Sequence, residues 1–148
     1  MVINLGSNSV LIEEFQNAHV IEMGEQNDAR GSLAFIELLR NCGFAPKRLF
    51  FLDDFTEGTV RGNHAHKACQ QVIFVLRGQA QIEVDDGEVC STVFLKNDNR
   101  ILHVKAMTWV TIVDVPKNSL ILVAASEEYD ESDYIRSRQE FEAMVNAT

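Results

Sequence analysis

From Lys47 onward the apolar positions fall in short β-branched and aromatic runs separated by turn residues, and no helical period appears until the last twenty or so residues. This pattern predicts strands at Lys47 to Leu52, Gln71 to Leu76, Ala80 to Val84, Glu88 to Leu95, Ile101 to Val104, Trp109 to Val113 and Leu120 to Ala125. Arg77-Gly78 and Asp85-Asp86-Gly87 supply turns, because glycine tolerates the positive φ of tight hairpins. Lys96 to Asn99 is a polar loop. The expected class is an all-β sandwich or barrel.

At the C-terminus, Tyr134, Ile135, Phe141 and Val145 recur at helical spacing, with Ser132 or Asp133 placed to cap the helix, which would cover one side of the barrel. In the first third, Val10 to Ile12 and Ala34 to Ile36 read as strands, with Asp28-Ala29-Arg30-Gly31 as a turn. If Val10 to Ile12 forms an edge, its exchange with a second copy would hide that edge and make a homodimer.

The chain has 148 residues, 46% of them hydrophobic and 24% charged, which fits one domain spanning 1–148 with its own core. A formal charge of −9 argues against nucleic acid and anionic membranes as partners. An anionic small molecule stays open, since Arg30, Arg48, Arg61 and Lys67 could form a local basic pocket. Cys42, Cys69 and Cys90 show no disulfide pattern, so a cytoplasmic location is expected. The N-terminal residues lack a signal-peptide pattern, and no apolar run reaches the length of a membrane helix.

The candidate chemistry lies in Arg61-Gly62-Asn63-His64-Ala65-His66-Lys67, followed by Gln71. Placed at the start of a strand, His64 and His66 point to one face, so two imidazoles share a cavity. Three readings are open: a buried structural pair, a metal site and an acid–base dyad. Arg61 and Lys67 bracket the histidines, Gly62 frees the backbone, and Gln71 is taken to lie on the same strand. Charge beside paired imidazoles is a setting that tunes proton transfer.

The spacing of His64, His66, Gln71 and Gly78 resembles the first signature of the cupin β-barrels. Gln71 stands where metal-binding members commonly have Glu, and Lys105 to Val110 contains no histidine to complete a ligand set. His103 and Cys69 are the possible substitutes, but no metal is expected.

A narrower resemblance is to the sugar 3,4-ketoisomerases, cupin-type enzymes acting on dTDP-linked 4-keto-6-deoxyglucose. It is carried by Arg61 to Lys67, Gln71, Asp85-Asp86-Gly87, Asp28 to Leu33 and Tyr129 to Arg136, and runs from about Asp28 to Phe141. It implies an all-β, cupin-type jelly-roll β-barrel with a C-terminal α-helix, and an isomerase moving a ketone from C4 to C3 through an enediol without a cofactor. His64 and His66 are then the catalytic pair, while Arg30, Arg61, Lys67 and Gln71 bind a dTDP-linked keto sugar. Two places depart from the pattern, one of them a pair of residues. Phe50 and Phe51 lie in the strand where relatives often carry Tyr, and Val110 stands where some have a polar residue that helps set product stereochemistry. A metal-dependent cupin enzyme and a non-catalytic sugar-nucleotide binder are the alternatives.

Overall fold

The computed structural model describes residues 3–4 and 10–148. In chain order the elements are β1 (Ile3–Asn4), β2 (Val10–Glu14), β3 (Ala18–Glu22), β4 (Gly24–Asp28), β5 (Gly31–Phe35), a short helix α1 (Leu38–Cys42), β6 (Arg48–Leu52), β7 (Arg61–His66), β8 (Gln71–Arg77) and β9 (Gln79–Asp85). There follow β10 (Cys90–Lys96), β11 (Arg100–Val104), β12 (Trp109–Val113), β13 (Leu120–Ala125), a 3₁₀ turn (Glu131–Asp133), β14 (Tyr134–Ile135) and α2 (Arg138–Asn146). Strands β12 and β13 begin and end where the sequence pattern places them, and β6, β8, β9, β10 and β11 differ by one or two residues at their ends.

Two sheets pack face to face in the cupin-type jelly roll that the sequence predicts. One has seven strands in the order β1-β2-β3-β11-β8-β13-β6, the other five in the order β10-β9-β12-β7-β14, and β4-β5 forms a separate two-stranded ribbon. Alternation along the strands sends Val20, Ile73, Val75, Leu102, Ile121 and Val123 of the large sheet against Ile82, Val84, Leu95 and Ile112 of the small one. This apolar layer drives the sandwich together.

Three expectations are corrected. Val10 to Ile12 is not an edge, because β2 lies between β1 and β3. The C-terminal helix starts at Arg138 and not near Ser132: Ser137 caps it by accepting from the Glu140 amide (3.3 Å), with Glu140 at the third helical position. Tyr134 and Ile135 are instead strand, with Tyr134 opposite His66 and Ile135 opposite Ala65. Their apolar spacing happens to continue the helical period, but two cap signals compete, and Asp130 uses its own side chain to start the 3₁₀ turn upstream.

The outer face of the large sheet is covered in part by the α1 segment, where Cys42 and Phe44 pack on Ile21, Val72 and Ile101. Beneath this cover, His103 and His19 stand opposite each other on β11 and β3 with rings 5.7 Å apart. His103 donates from Nε2 to Gln70 Oε1 (2.9 Å), and burial, helped by His19 and Lys105, lowers its pKa from 6.5 to about 4. A histidine kept neutral in the folded state stabilises the fold fully above its unfolded pKa and loses that contribution as pH falls from about 6.5 to about 4. The expected cost across that window is of order 3 kcal/mol. Urea denaturation at stepped pH should show this fall, and His103→Gln should make it shallower, the remainder coming from His19, His64 and His66, whose pKa values burial also lowers.

Candidate active site

Strand β7 does not run straight through its motif. Ile112 pairs with Arg61 and Thr111 with Gly62, yet Val110 pairs with His64, so Asn63 is an extra residue and forms a β-bulge. Gly62 has φ +84°, and a Cβ there would lie 2.6 Å from the Val110 carbonyl oxygen, so the position demands glycine twice over. Asn63 also has positive φ (55°) and accepts a hydrogen bond from Thr111 Oγ1 (3.2 Å). The histidines thus sit at the end of β7 rather than at the start of a strand.

The bulge delivers His64 to a cavity of about 270 Å³ between the sheets, lined by Arg61, Gln71, Tyr134 and Arg136 as polar groups and by Phe50, Ile73, Val110 and Val123 among its apolar ones. His64 donates from Nδ1 to the Gly62 carbonyl (3.0 Å). A carbonyl only accepts, so the proton is on Nδ1 and Nε2 keeps its lone pair. Burial is the main cause that lowers the His64 pKa, with His66 and Arg136 adding to it and the Gly62 contact opposing it. The ring is a neutral base near pH 7.

His66 lies behind His64, 5% exposed, with ring centroids 5.0 Å apart and edges to faces. Its Nδ1 donates to Asp133 Oδ2 (2.9 Å), and its Nε2 faces the Gln71 amide nitrogen at 3.4 Å. Burial again lowers its pKa against the opposing pull of Asp133, so the contact is a neutral imidazole hydrogen-bonded to a carboxylate. Asp133 is itself fixed by the Ala68 amide (2.7 Å) and, more loosely, the Cys69 amide (3.3 Å). Gln71 begins β8 in the opposite sheet and is not on the histidine strand; it reaches the pair across the cavity.

Three residues that the sequence did not mark as functional complete the site. Tyr134 packs its ring 5.0 Å from His64 and 4.3 Å from His66, which brings a phenol to the cavity that Phe50 cannot supply. The Arg136 guanidinium lies 4.3 Å from the centre of the Tyr134 ring and forms a fork with Glu131 (2.6 and 3.0 Å). Arg136 and the Tyr129 hydroxyl hold the Glu131 carboxyl at about 2. Asp133 is the third. The signal for all three was the stretch Tyr129 to Arg136, which carries the family resemblance, but the helical spacing read from Tyr134 onward drew attention from its side chains.

Of the expected site residues, His64, Arg61 and Gln71 line the cavity together, and His66 touches it only through its neighbours. Lys67 and Arg30 are elsewhere. Lys67 is exposed, and its ammonium donates to the Ser132 carbonyl (3.0 Å). Arg30 is at the tip of the β4-β5 ribbon, paired with Asp28 (2.6 Å) with 90% of its side chain exposed. Arg48 lies half-buried beside Phe50 and Tyr129, its Nε without a hydrogen-bond partner among the described residues. Of the two substitute metal ligands considered, His103 is under α1 on the far face of the large sheet. Cys69, however, shares a cluster with His66 and Asp133 whose ligand atoms all lie within 4.8 Å of one another.

The family described as "FdtA: WxcM-like, C-terminal" matches residues 16–146. The chain is 34% identical over 126 residues to a TDP-4-oxo-6-deoxy-alpha-D-glucose-3,4-oxoisomerase of Aneurinibacillus thermoaerophilus, covering 85% of this chain and 91% of that protein. A 3,4-ketoisomerase from Helicobacter canadensis superposes with a TM-score of 0.83 at 32% identity, covering 89% of this chain and 99% of that one. The sugar 3,4-ketoisomerase QdtA from Thermoanaerobacterium thermosaccharolyticum, solved with TDP, gives a TM-score of 0.84 at 27% identity over 90% and 98% of the two chains. A mutant of QdtA has also been solved with TDP-4-keto-6-deoxyglucose.

Proposed function

Because the chain belongs to the FdtA-type, WxcM-like C-terminal family of sugar 3,4-ketoisomerases, we propose that it moves the keto group of dTDP-4-keto-6-deoxyglucose from C4 to C3. The carrying observation is that His64 lines the cavity with Nε2 as its basic nitrogen, beside Arg61, Arg136 and Tyr134.

His64 takes the C3 proton, and the bonding pair forms the C3–C4 double bond while the C4 carbonyl becomes an enediolate oxygen. Arg61 and Arg136 oppose that developing charge in a cavity where fixed cations need little reorganisation. Tyr134 passes a proton from the C3 hydroxyl to the C4 oxygen. The imidazolium of His64 then returns its proton to C4 and leaves a C3 ketone. His66 is a positioning residue: Asp133 fixes its tautomer, Nε2 orients the Gln71 amide, and its ring supports Tyr134 and His64.

Incubation with the keto sugar in deuterated water, followed by NMR, tests this reading. Deuterium should enter at C4 as the carbonyl appears at C3. Isomerisation without solvent exchange at either carbon would count against a histidine that equilibrates its proton with water.

The same reading includes a homodimer in the cytoplasm. Leu49 and Phe51 on the outer face of β6 are each 60% exposed, Leu76 of β8 adds to that patch, and Leu33 is exposed on the ribbon. Apolar surface of this kind favours pairing with a second copy. β1, one of the two outer strands of the large sheet and the N-terminal one, is the segment placed for exchange. Arg30 and Lys67 would bind the pyrophosphate, although neither lines the cavity within one chain; Lys67 would exchange its contact with the Ser132 carbonyl for the phosphate, and Arg30 would reach a site only across such a dimer. Sedimentation should show a dimer that Phe51→Asp converts to monomer, and Arg30→Ala should raise KM by about tenfold, the loss of one charge-assisted contact.

A further inference from the structure

The cluster of His66, Cys69 and Asp133 offers one nitrogen, one sulfur and one oxygen ligand, and their donor atoms lie within 4.8 Å of one another. A tetrahedral zinc-class cation bound at about 2.0–2.3 Å places its ligand atoms roughly 3.3–3.8 Å apart, so only small side-chain adjustments separate this cluster from a closed set of three. The ligands come from rigid pieces of backbone. His66 ends β7, and Cys69 follows it in the turn to β8. Asp133 is held by the Ala68 and Cys69 amides, while its own carbonyl accepts from the Lys67 amide (2.9 Å).

The other side of the cluster opens outward. Asp133 and Ala68 line a cleft of about 600 Å³ with Glu127, Glu128, Asp130, Tyr129 and Lys47. Lys47, the one cation among the described residues that line it, is taken up by Glu127 (2.8 Å). The remaining acidic groups draw divalent cations inward, and the cleft leaves room for water as a fourth ligand. This entrance is separate from the cavity that His64 lines.

We propose that His66, Cys69 and Asp133 form an inhibitory site for a borderline-soft divalent cation of the zinc class. Binding releases the thiol proton of Cys69 to solvent and moves the imidazole proton of His66 from Nδ1 to Nε2, which frees the Nδ1 lone pair for the metal. The Gln71 amide then meets an N–H where it met a lone pair. The cation sits on the ring adjoining His64, the two imidazole centres being 5.0 Å apart, and so opposes the positive charge His64 must acquire when it takes a proton. The site itself does not depend on the reaction; the inhibition rests on the isomerase reading.

The purified chain is titrated with Zn²⁺ by calorimetry and with Cd²⁺ by ultraviolet absorption, and isomerase turnover is followed across the same concentrations. One metal per chain, a thiolate-to-cadmium absorption band, and a fall in turnover that a chelator reverses are expected. Cys69→Ala and Cys69→Ser, checked for folding by circular dichroism, should lose the band, bind at least tenfold more weakly and keep their turnover at the zinc concentration that halves that of the unaltered chain. Absence of one-to-one binding, or equal binding by the folded Cys69 variants, would overturn the site. Binding without inhibition would overturn the inhibitory role and leave the site standing, and both metal readouts hold whatever reaction the chain catalyses.

Discussion

His64→Asn should abolish isomerisation, lowering kcat by between about 10² and 10⁴ with little change in KM, because a positioned acid–base group contributes on that scale. Asparagine retains an N–H able to donate to the Gly62 carbonyl but has no basic nitrogen that can accept a proton at neutral pH. His66→Asn should behave differently. Its ring is buried behind His64 and held by Asp133 and Gln71, so its loss disturbs the alignment of Tyr134 and His64 and lowers kcat by a smaller factor, with KM also affected. Steady-state kinetics together with single-turnover deuterium exchange at C3 separate the two. Near-normal exchange in His64→Asn would remove the carbon base from this account.

Phe141→Ala should destabilise the fold by about 3–5 kcal/mol, the usual cost of removing a fully buried phenylalanine. Phe141 is 0% exposed and packs with Ala65, Trp109 and Ile135, with ring centres 5.7 Å apart for the Phe141–Trp109 pair. It is the anchor of α2, and the helix in turn holds β14 against β7. Arg138 reinforces this join by pairing with Asp85 in the small sheet. Releasing the helix loosens the strand that carries Tyr134 and the residues on either side of it, Asp133 and Arg136. Urea unfolding should report the lost stability, and residual folded protein should show reduced kcat as well. If turnover per folded molecule is unchanged, the link from helix to site fails.

Most of the barrel could be read in the sequence because its strands are short runs of β-branched and other apolar residues set off by turn residues. Trp109 to Val113 and Leu120 to Ala125 are instances, almost wholly apolar and largely buried. The tail was harder. Tyr134 and Ile135 form a two-residue strand, too short for any period to declare itself, and their side chains fall in phase with a helix that starts later. The His64 and His66 pair was legible from its spacing and its charged neighbours, but the unequal roles were not. These depend on Asp133, 67 positions after His66 in the chain, and on Gln71 approaching from the opposite sheet. Arg30 was placed among the binding groups by its motif, while within one chain the ribbon carries it away from the cavity.

The bulge at Asn63 settles a matter of parity. In an unbroken strand, residues separated by an odd number of positions face opposite ways, so Arg61 and His64 could not both enter one chamber. Across from them, Val110 and Ile112 are an even step apart and both line the cavity, and the surplus residue in β7 lets cation and base follow them there. The odd spacing of Arg61 and His64 is therefore a trace of the irregular backbone, written in the sequence before any coordinate is known. Restoring a regular ladder while keeping all of the motif's residues would turn the charge or the base out toward the other side of the sheet. Composition at the site would stay the same, and the chemistry would be lost through a change of phase alone.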